Sequence, residues 1–288
     1  MVTLFEHLNR EDAETFSLVL NAVGIGHRVV GTPHRFRIDV PEPLTEAALT
    51  AIHRYQSENA VPLTEPTPAR HQPVSLPLSG IFIALALLTV YLAVEGSQAP
   101  HDYDKVFGAD ARRILRGEFY RCATALLLHA DATHITANMA GIALFGSAVC
   151  TITGTGVGWL MILSSGILGN LMNALAYQRD HLSVGASTAI FGAIGVLCAV
   201  QGLSAIRTGK GWKQVALIAG AGIALLAFLG TGVRSDIGAH LFGWFAGVLF
   251  GGIHGVFFNS PLGKKWQVTG AAIAVVTLVA AWIRGVVG

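Results

Sequence analysis

The sequence predicts an all-α polytopic membrane protein, a bundle of membrane-spanning helices, with a small N-terminal cytoplasmic α+β domain. Hydrophobic residues make up 52% of the 288 residues, charged residues only 12%, and the mean hydropathy is +0.57. Soluble domains carry about a quarter charged residues, so we expect much of this surface to face the lipid bilayer. The net charge of +2 gives no reason to expect a nucleic-acid partner.

Residues 1–60 differ in kind from the rest, because they are charged and mixed in composition. Periodicity predicts strands at 2–6, 27–30 and 36–40 and helices at 12–23 and 45–55. The order β-α-β-β-α indicates a compact α+β domain. We expect Gly24 to end the first helix and Thr45 to cap the second. Residues 61–77 contain five prolines and are predicted to form a stiff linker.

Seven apolar stretches follow, each long enough to cross a hydrocarbon core about 30 Å thick, which takes roughly 20 helical residues. They lie near residues 78–97, 133–153, 156–176, 186–206, 213–231, 237–258 and 267–286. This pattern predicts a core of six spans over residues 78–258. Residues 259–288 would then form a loop and a seventh span.

Loop charges predict the orientation. The N-terminus lacks the basic and apolar segments of a signal peptide, so we expect it to stay in the cytoplasm. The loops after spans four and six carry the basic excess typical of cytoplasmic loops, at Arg207, Lys210, Lys213, Lys264 and Lys265. The outer loop, 98–132, opposes this assignment with Lys105, Arg112, Arg113, Arg116 and Arg121. The N-terminal ends of spans two, four and six would face outward.

Those three ends carry the unusual polar residues. Ser187 lies just past the start of span four, and His240 lies near the start of span six. His134 and Asn138 lie four residues apart on one face of span two. Ionisable groups inside spans are rare because their transfer out of water is unfavourable, and they are functional by default.

Each of these residues also has a structural interpretation. A serine can bond to its own helix, a histidine can pair with a backbone carbonyl, and an asparagine can bridge two helices. Their coincidence at one depth favours chemistry. A serine hydroxyl needs an adjacent base to become a nucleophile, and a neutral imidazole can take its proton and return it to the leaving amine. We therefore predict that Ser187 is a nucleophile and that His240 is its general base and acid.

The intermediate of such a reaction carries negative charge on oxygen, which needs preorganised donors. His134, Asn138 and the N–H group of Ser187 are candidate donors, and a helix start adds unpaired N–H groups. His240 shares one helical face with Gly243 and other glycines, and such small residues let a second backbone approach closely. This contact would bring span six onto span four.

These polar residues and their neighbours resemble those of a known family, the rhomboid intramembrane serine proteases. Residues 185–192, GASTAIFG, resemble the GxSxxxFG motif, and residues 239–247 resemble the AHxxGxxxG motif. Residues 134–138 resemble the HxxxN motif, with His129 upstream. Residues 118–121, EFYR, resemble the WR motif of the first outer loop, with tyrosine in place of tryptophan. The resemblance covers roughly residues 74–258.

The resemblance implies a Ser187/His240 dyad and an oxyanion site that uses His134 and Asn138. The residues that it implies as supporting the site are Gly185, Phe191, His129, Gly243 and Gly247. It implies a serine endopeptidase that cuts single-span membrane proteins in or near their transmembrane segment, without a metal ion, ATP or another cofactor. It also implies a multi-pass protein of a bacterial inner membrane, with the active site opening to the outer side.

Three rival functions remain possible at the level of sequence. An inactive rhomboid-like protein could bind client transmembrane helices without cutting them. A metal-dependent protease could use the histidines at positions 129, 134, 240 and 254, although the sequence has no HExxH motif. A transporter would fit seven helices, but no inverted repeat is evident. Locally, Asp236 lies four residues before His240, where it could cap span six or orient the histidine.

Overall fold

The structure is a computed structural model that describes residues 1–32, 35–59, 78–97, 100–178, 181–230, 236–258 and 260–287. The chain divides into two compact units, Met1–Val74 and Ser75–Gly288. The proline-rich linker predicted at 61–77 lies outside the described residues.

The N-terminal unit has the predicted β-α-β-β-α order. Its elements are β1 Val2–Leu8, α1 Arg10–Ala22, β2 Arg28–Thr32, β3 Arg35–Val40 and α2 Thr45–Asn59. The three strands form an antiparallel sheet in the order β1-β3-β2. Leu20 of α1, Ile38 of β3 and Ile52 of α2 are fully buried, so the two helices and the sheet share one apolar core. The α+β character predicted for this region is confirmed.

The ends of the two helices of this unit differ from each other. Gly24 follows α1 with φ +73°, a value that favours glycine. The N–H groups of Gly24 and Ile25 donate to the carbonyls of Asn21 and Leu20, which closes the helix as predicted. The Thr45 hydroxyl instead donates to a carbonyl of the preceding turn, that of Glu42, at 2.8 Å. Thr45 also has helical backbone angles, φ −59° and ψ −48°, and is the first residue of α2, so its prediction as the cap of this helix is wrong.

The second unit is helical. Its longer helices are α3 Ser79–Glu95, α7 Ala132–Gly141 continued through a π-helical turn by α8 Ser147–Thr153, α9 Thr155–Tyr177, α10 Ser187–Arg207, α11 Gly211–Gly230, α12 Ile237–Phe257 and α13 Lys264–Val287. The loop before α7 holds α4 Pro100–Phe107, β4 Ala109–Asp110, α5 Ala111–Leu115 and α6 Arg121–Thr124, and β4 pairs with β5 Leu182–Ser183.

All seven predicted stretches coincide with helices. Five helical segments of the described chain are long and apolar enough to cross a membrane: Ala132–Thr153, Thr155–Tyr177, Ser187–Arg207, Ile237–Phe257 and Lys264–Val287. The helix at Ser79–Glu95 is apolar but shorter, with 17 residues, and α11 is an apolar helix of 20 residues. The prediction of a helical, multi-pass membrane protein is confirmed.

Glycines let α12 approach α10 at backbone distance. A Cβ atom added at Gly247 would collide with the carbonyl oxygen of Gly192, and one added at Gly243 would collide with the carbonyl oxygen of Thr188. The N-terminal turns of these two helices are therefore held side by side, and α9 packs against both of them.

The loop between α3 and α7 corrects one step of the charge analysis. Arg121 counted there as a basic residue of an outer loop, but its side chain is only 1% exposed. Its guanidinium donates to Glu118 at 2.6 Å and to the carbonyls of Lys105 and Gly108 at 2.9 and 3.1 Å. Arg121 therefore organises this loop and does not report on the side of the membrane.

Candidate active site

Ser187 stands at the start of α10, after a sharp backbone turn. Gly185 has φ +127°, which L-residues with a side chain rarely adopt. Its N–H donates to the carbonyl of Ala125 at 2.9 Å, which anchors the turn to the loop before α7. Ala186 is the N-cap of α10 and makes no side-chain cap. The N–H groups of the first turn have no carbonyl partner within the helix. Ser187 therefore lies at the end of the helix where the dipole is positive.

His240 lies in the first turn of α12 and faces this serine. Its Nε2 atom is 2.8 Å from the Oγ atom of Ser187. The His240 side chain is buried, with the residue only 4% exposed, whereas Ser187 is partly exposed. The ring of Phe191 packs at 4.5 Å between centroids, tilted by 34°. When Nε2 accepts a hydrogen bond from the Ser187 hydroxyl, the neutral ring carries its single proton on Nδ1.

His134 and Asn138, on α7, lie beside the turn that precedes Ser187. A Cβ atom added at Gly185 would be 2.6 Å from Nε2 of His134 and 3.7 Å from Nδ2 of Asn138. The glycine thus leaves room for both polar groups next to the backbone of the nucleophile's loop. In this structure Asn138 Nδ2 donates to the carbonyl of His134, one turn back, at 3.0 Å.

His129 supports the same turn from the loop before α7. Its Nε2 atom accepts the N–H of Ala186 at 3.4 Å, and its ring meets that of His134 edge-on at 5.2 Å. Burial, with a smaller contribution from the neighbouring His134, lowers the pKa of His129 to about 3. His129 is therefore neutral at ordinary pH, as an acceptor must be.

Asp236 is the N-cap of α12. Its Oδ1 atom accepts the N–H of Ala239 at 3.0 Å, and its Oδ2 atom is bonded to His181 at 2.6 Å and Asn173 at 2.7 Å. Burial pushes the pKa of this carboxyl upward, but the N–H of Ala239 and the side chain of His181 outweigh burial and hold the pKa below its usual value. Capping was one of the two roles expected of Asp236.

Sequence reasoning did not single out Asn173 or His181. Asn173 lies within an apolar span, where an asparagine is ordinarily interpreted as a hydrogen-bonding link between two helices. The residue is 3% exposed. His181 lies six residues before Ser187, which is the one signal that could have pointed to it. Among the residues that the structure describes, no three His, Cys, Asp or Glu side chains lie close enough together to hold a metal ion.

The arrangement contains the parts of a hydrolytic serine site. A hydroxyl in hydrogen-bond contact with a buried imidazole can become a nucleophile. The N–H groups at the start of α10 and the polar groups of α7 lie beside the turn that carries this serine. Ser187 itself is partly exposed, whereas His240 is buried.

Comparisons with known proteins agree with the sequence motifs. A family model described as the rhomboid domain matches residues 116–257. The rhomboid protein YdcA of Bacillus subtilis is 32% identical over 130 residues, which are 45% of this chain and 64% of YdcA. The rhomboid protease GluP of the same organism is 32% identical over 119 residues, 41% of this chain and 23% of GluP. The rhomboid-like protease 3 of Toxoplasma gondii is 33% identical over 132 residues, 46% of this chain and 50% of that protein. The chain thus spans less than two thirds of these curated relatives.

Proposed function

Because the chain belongs to the rhomboid family, we propose that it is an intramembrane serine endopeptidase that uses Ser187 as nucleophile and His240 as general base and acid. The observation that carries the proposal is the 2.8 Å contact between Nε2 of His240 and Oγ of Ser187. It joins two residues that are 53 positions apart and lie on two helices that are both apolar enough to span a membrane.

The reaction would proceed by attack of Ser187 Oγ on a peptide carbonyl while His240 takes the hydroxyl proton. His134, Asn138 and the N–H groups of the first turn of α10 would stabilise the oxyanion. His240 would then return its proton to the leaving amine, and water would hydrolyse the acyl-enzyme. Asn138 would have to exchange its bond to the His134 carbonyl for one to the oxyanion.

The substrates would be single-span membrane proteins, cut in or just outside the bilayer. The proposed site lies at the N-terminal ends of α7, α10 and α12, so it would open near the membrane surface, where water is available. We place this surface on the outer side of a bacterial inner membrane, with the N-terminus in the cytoplasm.

The decisive test is cleavage of a purified single-span substrate in detergent by the wild type, Ser187→Ala and His240→Ala. We expect each substitution to lower kcat by at least about 1,000-fold, because nucleophile and base act as a unit. A fluorophosphonate probe should label the wild type at Ser187 and should leave Ser187→Ala unlabelled.

Two results would overturn the proposal. If Ser187→Ala retained wild-type cleavage, another nucleophile would be at work. If the folded wild type bound the substrate but neither cut it nor reacted with the probe, the chain would act as a binding protein for client helices.

A further inference from the structure

A second pair of residues links the two helices that carry the proposed nucleophile and base. His181 lies six residues before Ser187, in the segment that leads from α9 to α10. Asp236 lies four residues before His240, at the cap of α12. Their side chains meet, with Nε2 of His181 at 2.6 Å from Oδ2 of Asp236. Each residue is thus a short distance along the chain from one half of the proposed dyad.

The Asp236 end of this contact is fixed to the helix that bears His240, and the His181 end is fixed to the strand pair that precedes Ser187. The N–H of Ala239 donates to Oδ1 of Asp236 at 3.0 Å, and the N–H of His240 donates to the backbone carbonyl of Asp236 at 3.1 Å. On the other side, the carbonyl of His181 accepts the N–H of Ala111 at 2.9 Å, just before β5 pairs with β4. The contact therefore joins the first turn of α12 to the segment that leads into α10.

The end of α9 holds the pair in place. Asn173 Nδ2 donates to Oδ2 of Asp236 at 2.7 Å, and the ring of Tyr177 stacks on that of His181 at 4.1 Å, with 5° between the planes. Gly238 packs against the same surface, where an added Cβ would be 2.5 Å from Oδ1 of Asn173 and 3.0 Å from the ring of Tyr177. The side chains of His181 and Asp236 are 26% and 13% exposed.

We propose that His181 and Asp236 form a brace that positions His240 against Ser187. The inference rests on the proposed function and deepens it. Both are positioning residues, because they bond to backbone and to α9 around the site. A hydrogen bond to a carboxylate is short and directional, so it can hold two separate helices in register. Misplacement of catalytic groups by about 1 Å can lower turnover by about 100-fold.

The test compares kcat and KM for cleavage of a single-span substrate by the full-length protein in detergent. His181→Ala removes the donor, and we expect kcat to fall about 10-fold with KM nearly unchanged, because geometry at the dyad is lost while substrate binding is kept. His181→Gln restores an N–H donor toward Asp236 and should recover most of kcat. His181→Ala combined with Asp236→Ala should be no slower than the slower single variant, because both remove one contact.

A matched control removes an equivalent hydrogen bond elsewhere. His27 bonds to Ser17 at 2.7 Å in the N-terminal unit, and His27→Ala should leave kcat and KM unchanged. Thermal unfolding followed by tryptophan fluorescence reports the fold of the helical unit in every variant, since all five tryptophans lie at position 159 or beyond.

The outcomes separate this proposal from the proposed function. If the wild type cuts the substrate, Ser187→Ala does not, and His181→Ala keeps wild-type kcat, the brace is disproved and the protease assignment stands. Equal losses in His181→Ala and His181→Gln, or losses that multiply in the double variant, would also overturn the brace. If Ser187→Ala still cuts the substrate, the proposed function itself fails.

Discussion

Both units of this protein have an apolar core, but they differ in the number of polar side chains that they bury. In the N-terminal unit the core consists of large apolar side chains such as Leu20, Ile38 and Ile52, all fully buried. In the helical unit many buried side chains are polar: Thr124, His129, Asn138, Ser147, Thr153, Ser165, Asn170, Asn173, Thr188, His240 and His254. Large apolar side chains of the same unit are exposed, for example Phe245, Leu249 and Val276 at 49%, 53% and 64%.

The difference reflects the solvent of each unit. Water drives apolar side chains together, roughly in proportion to the area removed from it. Lipid tails give no such drive, so helices in a bilayer associate through close contact of small residues and through hydrogen bonds. Polar side chains can therefore be collected inside the helical unit, which is the environment that a serine and its base require.

Truncation of a core residue of the N-terminal unit should produce the largest change in unfolding free energy. This change should be confined to that unit. Ile38→Ala removes a fully buried side chain, so we expect its unit to lose about 2–5 kcal/mol of unfolding free energy. Hydrogen exchange of the amides of β1 and β3 measures the loss. Tryptophan-detected unfolding of the helical unit should not change.

The matched control is the same kind of truncation on the lipid-facing surface. Leu249 is 53% exposed, and Leu249→Ala should change the unfolding of the helical unit by less than about 1 kcal/mol. A large loss from Leu249→Ala, or none from Ile38→Ala, would contradict the contrast between the two units.

A small residue made larger should damage the helical unit. Gly247→Ala places a Cβ against the carbonyl of Gly192, and we expect about 1–3 kcal/mol of destabilisation as α12 moves away from α10. The rate of substrate cleavage should also fall, because the proposed base is part of α12. Gly252→Ala on the same helix meets nothing within 4 Å and should be harmless. Equal effects of the two substitutions would refute the close-contact interpretation.

Acid should weaken the helical unit through a buried histidine. His129 stays neutral to about pH 3, whereas an unfolded histidine takes a proton near pH 6.5. Between these values the unfolded state binds the extra proton, so stability falls as the pH falls, by about 1.4 kcal/mol per pH unit at most.

Tryptophan-detected unfolding at pH 7 and pH 4.5 measures this slope. His129→Gln, which does not titrate and can still accept the N–H of Ala186, should show a shallower slope. His53→Gln, an exposed site in α2, should match the wild type. An unchanged slope in His129→Gln would show that another group controls the acid response.

Much of the fold was predictable because it depends on local patterns. Alternating and helical periodicities gave the N-terminal elements to within a few residues, and Gly24 ended its helix as expected. Apolar length located the seven long helical segments that the structure describes in the second unit. The π-helical turn at Ile142–Gly146 and the pairing of β4 with β5 were not predicted, because nothing local in these segments distinguishes them from ordinary helix or loop.

The sequence by itself determined the chemistry on offer: a helical membrane protein with a serine, two histidines and an asparagine at the starts of three spans. The tertiary structure decided which of these groups meet, since Ser187 and His240 touch only because glycines bring α10 and α12 together. It also decided the partners of Asp236, whose contact with His181 spans 55 positions. Composition and periodicity are properties of a segment, whereas a hydrogen bond between distant segments depends on the angle and distance at which whole helices pack.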